Sequence, residues 1–358
     1  MKIAIILPAF YLGGFERWAS FVYKALSSHK IITDVYILGN IKAHPSDYGI
    51  DLNLRRINLI DLFNIIYFSK YNCIITGLTK LNLLLSFFCF FSNKYLITSI
   101  HLSLHRKEFE SLLKFTIRKF IHKLIYKFSD KIICVSNGIF FDYLNICKDN
   151  KKLIKIYNPC FNLEDIFLKN TYESELIKIS CAGRLGYQKG FDILIEAFNN
   201  MPNNIIHNIN INLYGPDPDN LWPKLFLLLK KDRIDKFKYH GPVSNLHLKL
   251  RSSDIFILSS RYEGFGNVLV EALSADCFCV AFDSPHGPSE ILSEGKFGIL
   301  IKEISAKKLS STLSNVISSK QYLNRTYLPH ERFSHLQNFT SEAFYKNFHE
   351  ILNDLFLK

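Results

Sequence analysis

The amino-acid sequence predicts an α/β protein built from two Rossmann-like domains, and three observations carry that prediction. Short apolar runs alternate with amphipathic stretches over most of the chain. The runs are continuously apolar, as expected of strands buried on both faces of a parallel sheet. Two such series occur, parted near Asn158-Pro159, where proline ends a strand and an irregular stretch follows to Glu175. A length of 358 residues suits two domains better than one.

The first series begins with Lys2–Leu7, stopped by Pro8, and continues with Val35–Leu38, Cys73–Thr76, Tyr95–Ile100, Lys131–Val135 and Leu153–Tyr157. The second contains Ile177–Ala182, Ile209–Tyr214, Lys236–Tyr239, Ile255–Leu258, Phe278–Phe282 and Gly298–Ile301. The domains implied are 1–158 and 159–340. A terminal amphipathic helix over 341–358 carries Phe344, Phe348, Ile351, Leu352 and Leu355 on one side. No internal repeat or low-complexity segment interrupts this order.

Composition narrows the function classes. Hydrophobic residues make up 48% of the chain, which excludes a disordered protein. The net charge of +12 calls for an anionic partner: nucleic acid, an acidic membrane surface or a phosphorylated substrate. No basic-aromatic motif accompanies that charge, so nucleic acid is not expected. The eight cysteines form no C-x-x-C pair, and several lie in apolar strand-like runs, as buried free thiols of a reducing cytosol do. The apolar part of MKIAIILPAF is too short for a signal peptide, and Leu83–Phe91 is too short for a membrane span. A cytoplasmic protein, or one resting on the inner face of the plasma membrane, is expected.

The segment Arg261–Glu290, RYEGFGNVLVEALSADCFCVAFDSPHGPSE, is the richest in chemistry. Glu263 and Glu271 bracket Gly264-Phe265-Gly266-Asn267, and a helix-like run starts at Asn267. Ionised carboxylates accept hydroxyl donors, glycines allow close approach of the backbone, and a helix N-terminus offers N–H groups to an anion. Sugar, ribose and phosphate are all parts of a nucleotide sugar. The spacing Glu-x7-Glu within EGFGNVLVE resembles the signature of the retaining GT-B glycosyltransferases (glycosyl transferases group 1) that build bacterial surface polysaccharides.

That resemblance implies a GT-B fold, two Rossmann-like domains facing each other across a cleft. The first would bind the acceptor and the second the donor, with the terminal helix packing back on the first. Glu263 would contact the transferred sugar and Glu271 the ribose, with Phe265, Gly266, Asn267 and Val268 lining the donor pocket. In Gly183-Arg184-Leu185-Gly186-Tyr187-Gln188-Lys189-Gly190, the family pattern G-R-L-x-x-x-K-G puts Arg184 and Lys189 on the diphosphate leaving group. Preorganised cations stabilise the charge that grows there without a metal. Gly13 and Gly14 after the first strand, and Val243 in His240-Gly241-Pro242-Val243, would also meet the donor. His101 at the end of Tyr95–Ile100 would lie beside the reacting sugar, with His105 as its rival and Asn137 as a further cleft residue.

Asp217-Pro218-Asp219 matches a metal-binding D-x-D, but its Gly/Pro-rich surroundings read as a turn. No metal and no cofactor are expected. The donor expected is a UDP-hexose or UDP-N-acetylhexosamine, and the acceptor a lipid-linked or oligosaccharide chain. A nucleotide-sugar epimerase of the same architecture is the alternative, and a non-enzymatic binder of anionic polymers is a more remote one. Leu113, Ile117, Phe120, Ile121, Leu124 and Phe128 share one face of a helix whose remainder carries Lys114, Arg118, Lys119, Lys123 and Lys127. The apolar face is expected in the core and the lysines in water, within reach of an anionic membrane.

Overall fold

In the computed structural model, which describes residues 1–10, 14–41, 54–104, 110–169, 176–323 and 327–356, the apolar runs become two parallel sheets. The chain divides into two units, Met1–Phe161 with Asn338–Lys358, and Asn162–Gln337.

The first unit holds β1 (Lys2–Leu7), β2 (Ile32–Ile37), β3 (Leu54–Arg56), β4 (Cys73–Gly77), β5 (Tyr95–Ile100), β6 (Lys131–Cys134) and β7 (Leu153–Lys155), in the order β3-β2-β1-β4-β5-β6-β7. Every pair is parallel, with Ile3 opposite Thr33 on one side of β1 and Cys73 on the other. On one face Ile5, Val35, Ile75, Ile97 and Ile133 pack with Trp18 and Val22 of helix Gly14–Ser28. Phe344, Phe348, Ile351 and Leu352 of the terminal helix Ser341–Phe356 complete that core, so the apolar side read from the sequence is the side buried. On the other face Ile6, Ile74 and Leu96 meet Leu62, Ile66, Leu81 and Leu85.

The second unit holds β8 (Ile177–Ala182), β9 (Ile209–Tyr214), β10 (Phe237–Tyr239), β11 (Ile255–Leu258), β12 (Phe278–Phe282) and β13 (Gly298–Ile301), ordered β10-β9-β8-β11-β12-β13 and parallel throughout. Its core joins Ile179, Ile211, Ile257 and Val280 to Leu194 and Phe198 of helix Phe191–Asn199 and to Leu309 and Leu313 of helix Ala306–Ser318.

Three features differ from the sequence reading. β3 carries no apolar run, because an edge strand is held by one neighbour alone, here Val35 opposite Leu54. β2 starts at Ile32, ahead of its most apolar stretch, and β7 ends at Lys155. The larger correction concerns helix Leu112–Phe128. Its buried residues are His122 and Ile125, while Leu113, Ile117 and Phe120 are 70%, 50% and 60% exposed. The His122 ring donates or accepts through Nδ1 at 2.5 Å from Tyr143 Oη, so a polar partner on the next helix rotates the apolar stripe outward. Lys152 Nζ ends the helix by donating to the carbonyls of Tyr126, Lys127 and Ser129.

All eight cysteines are free, and all but the half-buried Cys147 are buried. Among the described residues no helix is long and apolar enough to cross a membrane.

Candidate functional site

Open parallel sheets hold ligands outside the carboxyl ends of the strands, where the strand order reverses. In the second unit that point lies between β8 and β11. The loop after β8 runs through Gly183 into the short turn Tyr187–Lys189, and the loop after β11 runs from Ser259 to Gly266. A set of hydrogen bonds ties the two loops together. Arg261 N donates to Gln188 O at 2.8 Å, Gln188 Nε2 to Tyr262 O at 3.0 Å, and Ser259 Oγ to Lys189 O at 2.8 Å. Gly190 has φ +63, and a Cβ there would overlap the Ser259 carbonyl, so only glycine lets the loops close this tightly.

Lys189 Nζ lies 2.6 Å from Glu263 Oε1, and Ser260 Oγ donates to the same oxygen at 2.5 Å. Glu263 is 5% exposed. The ammonium assigned to the leaving diphosphate is therefore engaged with the glutamate assigned to the sugar. Arg184 is exposed and makes no hydrogen bond or ion pair among the described residues. The two cations thus differ: Lys189 is paired with a carboxylate, and Arg184 faces solvent.

Arg261 braces this arrangement. It forks onto both carboxylate oxygens of Asp192, at 2.8 and 2.6 Å, and its guanidinium lies 4.1 Å from the Tyr187 ring centroid. Burial alone would raise the Asp192 pKa, but the hydrogen bonds and charge of Arg261 outweigh it and hold the carboxyl below its ordinary range. Sequence reasoning missed Ser260, Arg261 and Asp192. The one available signal was the position of Ser260 and Arg261 directly before Glu263.

Helix Asn267–Ser274 follows, entered through Gly266 at φ +105 without a side-chain cap. Glu271 sits in its second turn and is 2% exposed. Asn267 and Val268 are half-buried, and Phe265 is 2% exposed. The loop after β12 packs on this segment. Glu263 N donates to Pro285 O at 3.2 Å, and a Cβ on Gly287, at φ +100, would overlap the Phe265 carbonyl. Val243 is half-buried in the loop after β10. In that loop the His240 ring stacks on Tyr214 at 4.7 Å and Nε2 lies 2.8 Å from Asn212 Oδ1.

Asp217 has both carboxylate oxygens engaged, accepting from Leu221 N at 2.7 Å and Trp222 N at 2.8 Å. Those bonds brace the turn that leads into helix Trp222–Phe226, whose own cap position, Leu221, makes no side-chain cap. Among the described residues no group of three or more His, Cys, Asp or Glu side chains is placed to hold a metal.

In the first unit the strand order reverses between β1 and β4. Gly14, exposed, opens the helix after β1, while Gly13 and His105 lie outside the described residues. His101 follows β5, with its ring edge-on to Phe15 at 5.1 Å and to Trp18 at 4.7 Å. Its Nε2 is buried and has no partner among the described residues, and burial lowers its pKa to about 3. His101 is therefore neutral near pH 7, suited to hydrogen bonding and not to carrying a proton. Asn137 is half-buried at the start of a helix capped by Ser136.

Two parallel sheets of Rossmann type define a GT-B class of fold. The crystal structure of Anabaena HepE in complex with UDP and glucose superposes with a TM-score of 0.80 at 16% identity, covering 99% of this chain and 100% of that one. The family profile described as glycosyl transferases group 1 matches residues 164–327, so the chain carries the domain of that glycosyltransferase family.

Two relatives place it further. Over 222 residues, 58% of each chain, it is 27% identical to the N-acetylgalactosamine-N,N'-diacetylbacillosaminyl-diphospho-undecaprenol 4-alpha-N-acetylgalactosaminyltransferase of Campylobacter jejuni. The match thus spans little more than half of that enzyme. The amylovoran biosynthesis glycosyltransferase AmsD of Erwinia amylovora is 23% identical over 359 residues, covering 95% of this chain and 96% of AmsD.

Proposed function

We propose that the protein moves a sugar from a UDP-hexose or UDP-N-acetylhexosamine to a lipid-linked or oligosaccharide acceptor in surface-polysaccharide synthesis, with retention of configuration. The observation that carries this reading is the Lys189–Glu263 pair, set with Ser260 across the β8 and β11 loops, ahead of the buried Glu271. Glu271 accepts hydrogen bonds from the ribose hydroxyls. Arg184 and the N-terminus of helix Asn267–Ser274 take the diphosphate, whose charge grows as the glycosidic bond breaks. Lys189 holds Glu263 toward the sugar hydroxyls. His101, in the acceptor-binding unit, donates or accepts a hydrogen bond as a neutral imidazole. No carboxylate is assigned as a covalent nucleophile, so the acceptor hydroxyl attacks the face that the diphosphate leaves and gives its proton to the departing diphosphate. Arg184 and that helix N-terminus supply the positive charge in place of a metal.

The choice of UDP is supported by the HepE complex, and a lipid-diphosphate acceptor by the name of the Campylobacter relative. Both named relatives are transferases, which favours transfer over epimerisation. A panel of UDP-sugars incubated with and without undecaprenyl-diphosphate-linked saccharides tests the reading. A lengthened acceptor whose new linkage keeps the donor's anomeric configuration by NMR is expected. Conversion of the donor to its epimer without acceptor would refute it.

The same proposal places the protein on the inner face of the plasma membrane. It is supported by the exposure of Leu113, Ile117 and Phe120 among the lysines of helix Leu112–Phe128. Flotation with anionic vesicles should weaken with salt, and equal flotation with neutral vesicles would count against a charged surface.

A further inference from the structure

A groove of about 590 Å³ runs on the first unit between helix Leu112–Phe128 and helix Asn137–Cys147. None of the candidate site residues lines it. Its walls include Leu104, Phe115, Phe120 and Ile146. Around them stand Lys119, Lys123 and Lys148. Among the described residues none of these three ammoniums forms an ion pair with a carboxylate. Lys119 Nζ instead lies 4.2 Å from the Phe115 ring centroid. Asp142 also borders the groove, and its Oδ2 accepts from Leu104 N at 2.9 Å.

This lining selects a chemical class. A small inorganic anion would satisfy the ammoniums and leave the apolar walls in water. A neutral hydrocarbon would cover the walls and leave three cations without a counter-charge. A molecule with one phosphate and a hydrocarbon chain satisfies both. The surroundings point the same way. Phe120, shared by the groove and the outer face of its helix, continues into exposed Ile117 and Leu113. At the other end of that helix Phe128 meets the exposed rings of Phe87 and Phe90 edge-on, at 6.5 and 4.9 Å. The groove thus opens on an apolar, lysine-bearing face.

We propose that the groove holds one anionic phospholipid drawn from the bilayer. Its phosphate sits among Lys119, Lys123 and Lys148, and an acyl chain runs along Phe115, Phe120 and Ile146. The proposal rests on the membrane-surface reading above but asks for more: a single saturable lipid site, where a charged surface alone attracts any anionic layer.

The test uses dihexanoyl phosphatidylglycerol below its micelle concentration, titrated calorimetrically into the full-length protein. Dihexanoyl phosphatidylcholine and inorganic phosphate serve as controls. Saturable binding of one phosphatidylglycerol per chain is expected, tighter than either control. Lys123→Gln combined with Lys148→Asn should weaken it about thirtyfold, from the usual attraction of two lysines to anionic lipid. Asparagine tolerates the left-handed backbone of Lys148, at φ 56, so this pair should fold. Lys114→Gln with Lys127→Gln, the same charge change on residues outside the lining, should leave binding nearly unchanged. Equal losses in the two pairs, or inorganic phosphate binding as tightly as the lipid, would overturn the groove. Wild-type protein that floats with phosphatidylglycerol vesicles yet shows no saturable lipid binding keeps the membrane surface and loses the groove. Protein that does neither loses both.

Discussion

Lys189→Ala isolates the pair on which the donor site is built. The substitution strips the counter-charge from Glu263, a carboxylate 5% exposed, while Ser260 Oγ still donates to it. Breaking a buried ion pair from one side costs about 3–5 kcal/mol, since the remaining charge stays buried. The surviving Ser260 bond puts this case at the lower end, about 3 kcal/mol. In a unit of this size that lowers the melting temperature by about 6–12 °C. Adding Glu263→Gln removes the stranded charge and should restore about 2 kcal/mol, because a neutral amide is far cheaper to bury. Urea and thermal unfolding of wild type, K189A, E263Q and the double variant read the coupling directly. Turnover of saturating donor, with acceptor, should fall about 10²–10³-fold in K189A and should not recover in the double variant. Simple additivity of the two stability changes would show that the 2.6 Å contact carries no energy and that Lys189 does not hold Glu263.

Three further outcomes follow from the same geometry. Glu271→Ala should weaken UDP binding about ten- to hundredfold by calorimetry, as two charge-assisted hydrogen bonds to ribose are lost, and unchanged affinity would remove Glu271 from the site. Chelator should leave turnover intact, and Asp217→Ala should cost about 1 kcal/mol of stability through its lost bonds to Leu221 N and Trp222 N while sparing activity; activity abolished by chelator and restored by manganese or magnesium would overturn the metal-free mechanism. His101, with its pKa lowered from 6.5 to about 3, takes up a proton in the unfolded chain before it does so in the folded one. Its neutral form therefore stabilises the fold above about pH 6.5, and that contribution is lost as pH falls toward 3. The loss amounts to about 2 kcal/mol between pH 7 and 5. His101→Gln should flatten this slope in urea titrations, and an unaltered slope would mean that the imidazole is not shielded as its aromatic neighbours imply.

The sequence by itself determined the strands and their loops. Ile255–Leu258 and Phe278–Phe282 are buried on both faces, so each needed a continuous apolar run that can be read locally. Edge strand Leu54–Arg56 needed none and was invisible. The spacing of Glu263, Glu271, Arg184 and Lys189 was legible too, because local motifs put Arg184, Lys189 and Glu263 in the segments that follow β8 and β11 and Glu271 on the next helix. What joins them was not. Lys189 and Glu263 stand 74 residues apart and meet only because β8 and β11 lie side by side where the strand order reverses. Arg261 finds Asp192 across the same seam. In helix Leu112–Phe128 the sequence set the 3.6-residue period, but packing chose the face, and the buried His122–Tyr143 contact turned Leu113, Ile117 and Phe120 toward solvent. Local periodicity fixes which residues share a side. Which side is covered depends on what another element, distant in sequence, brings against it.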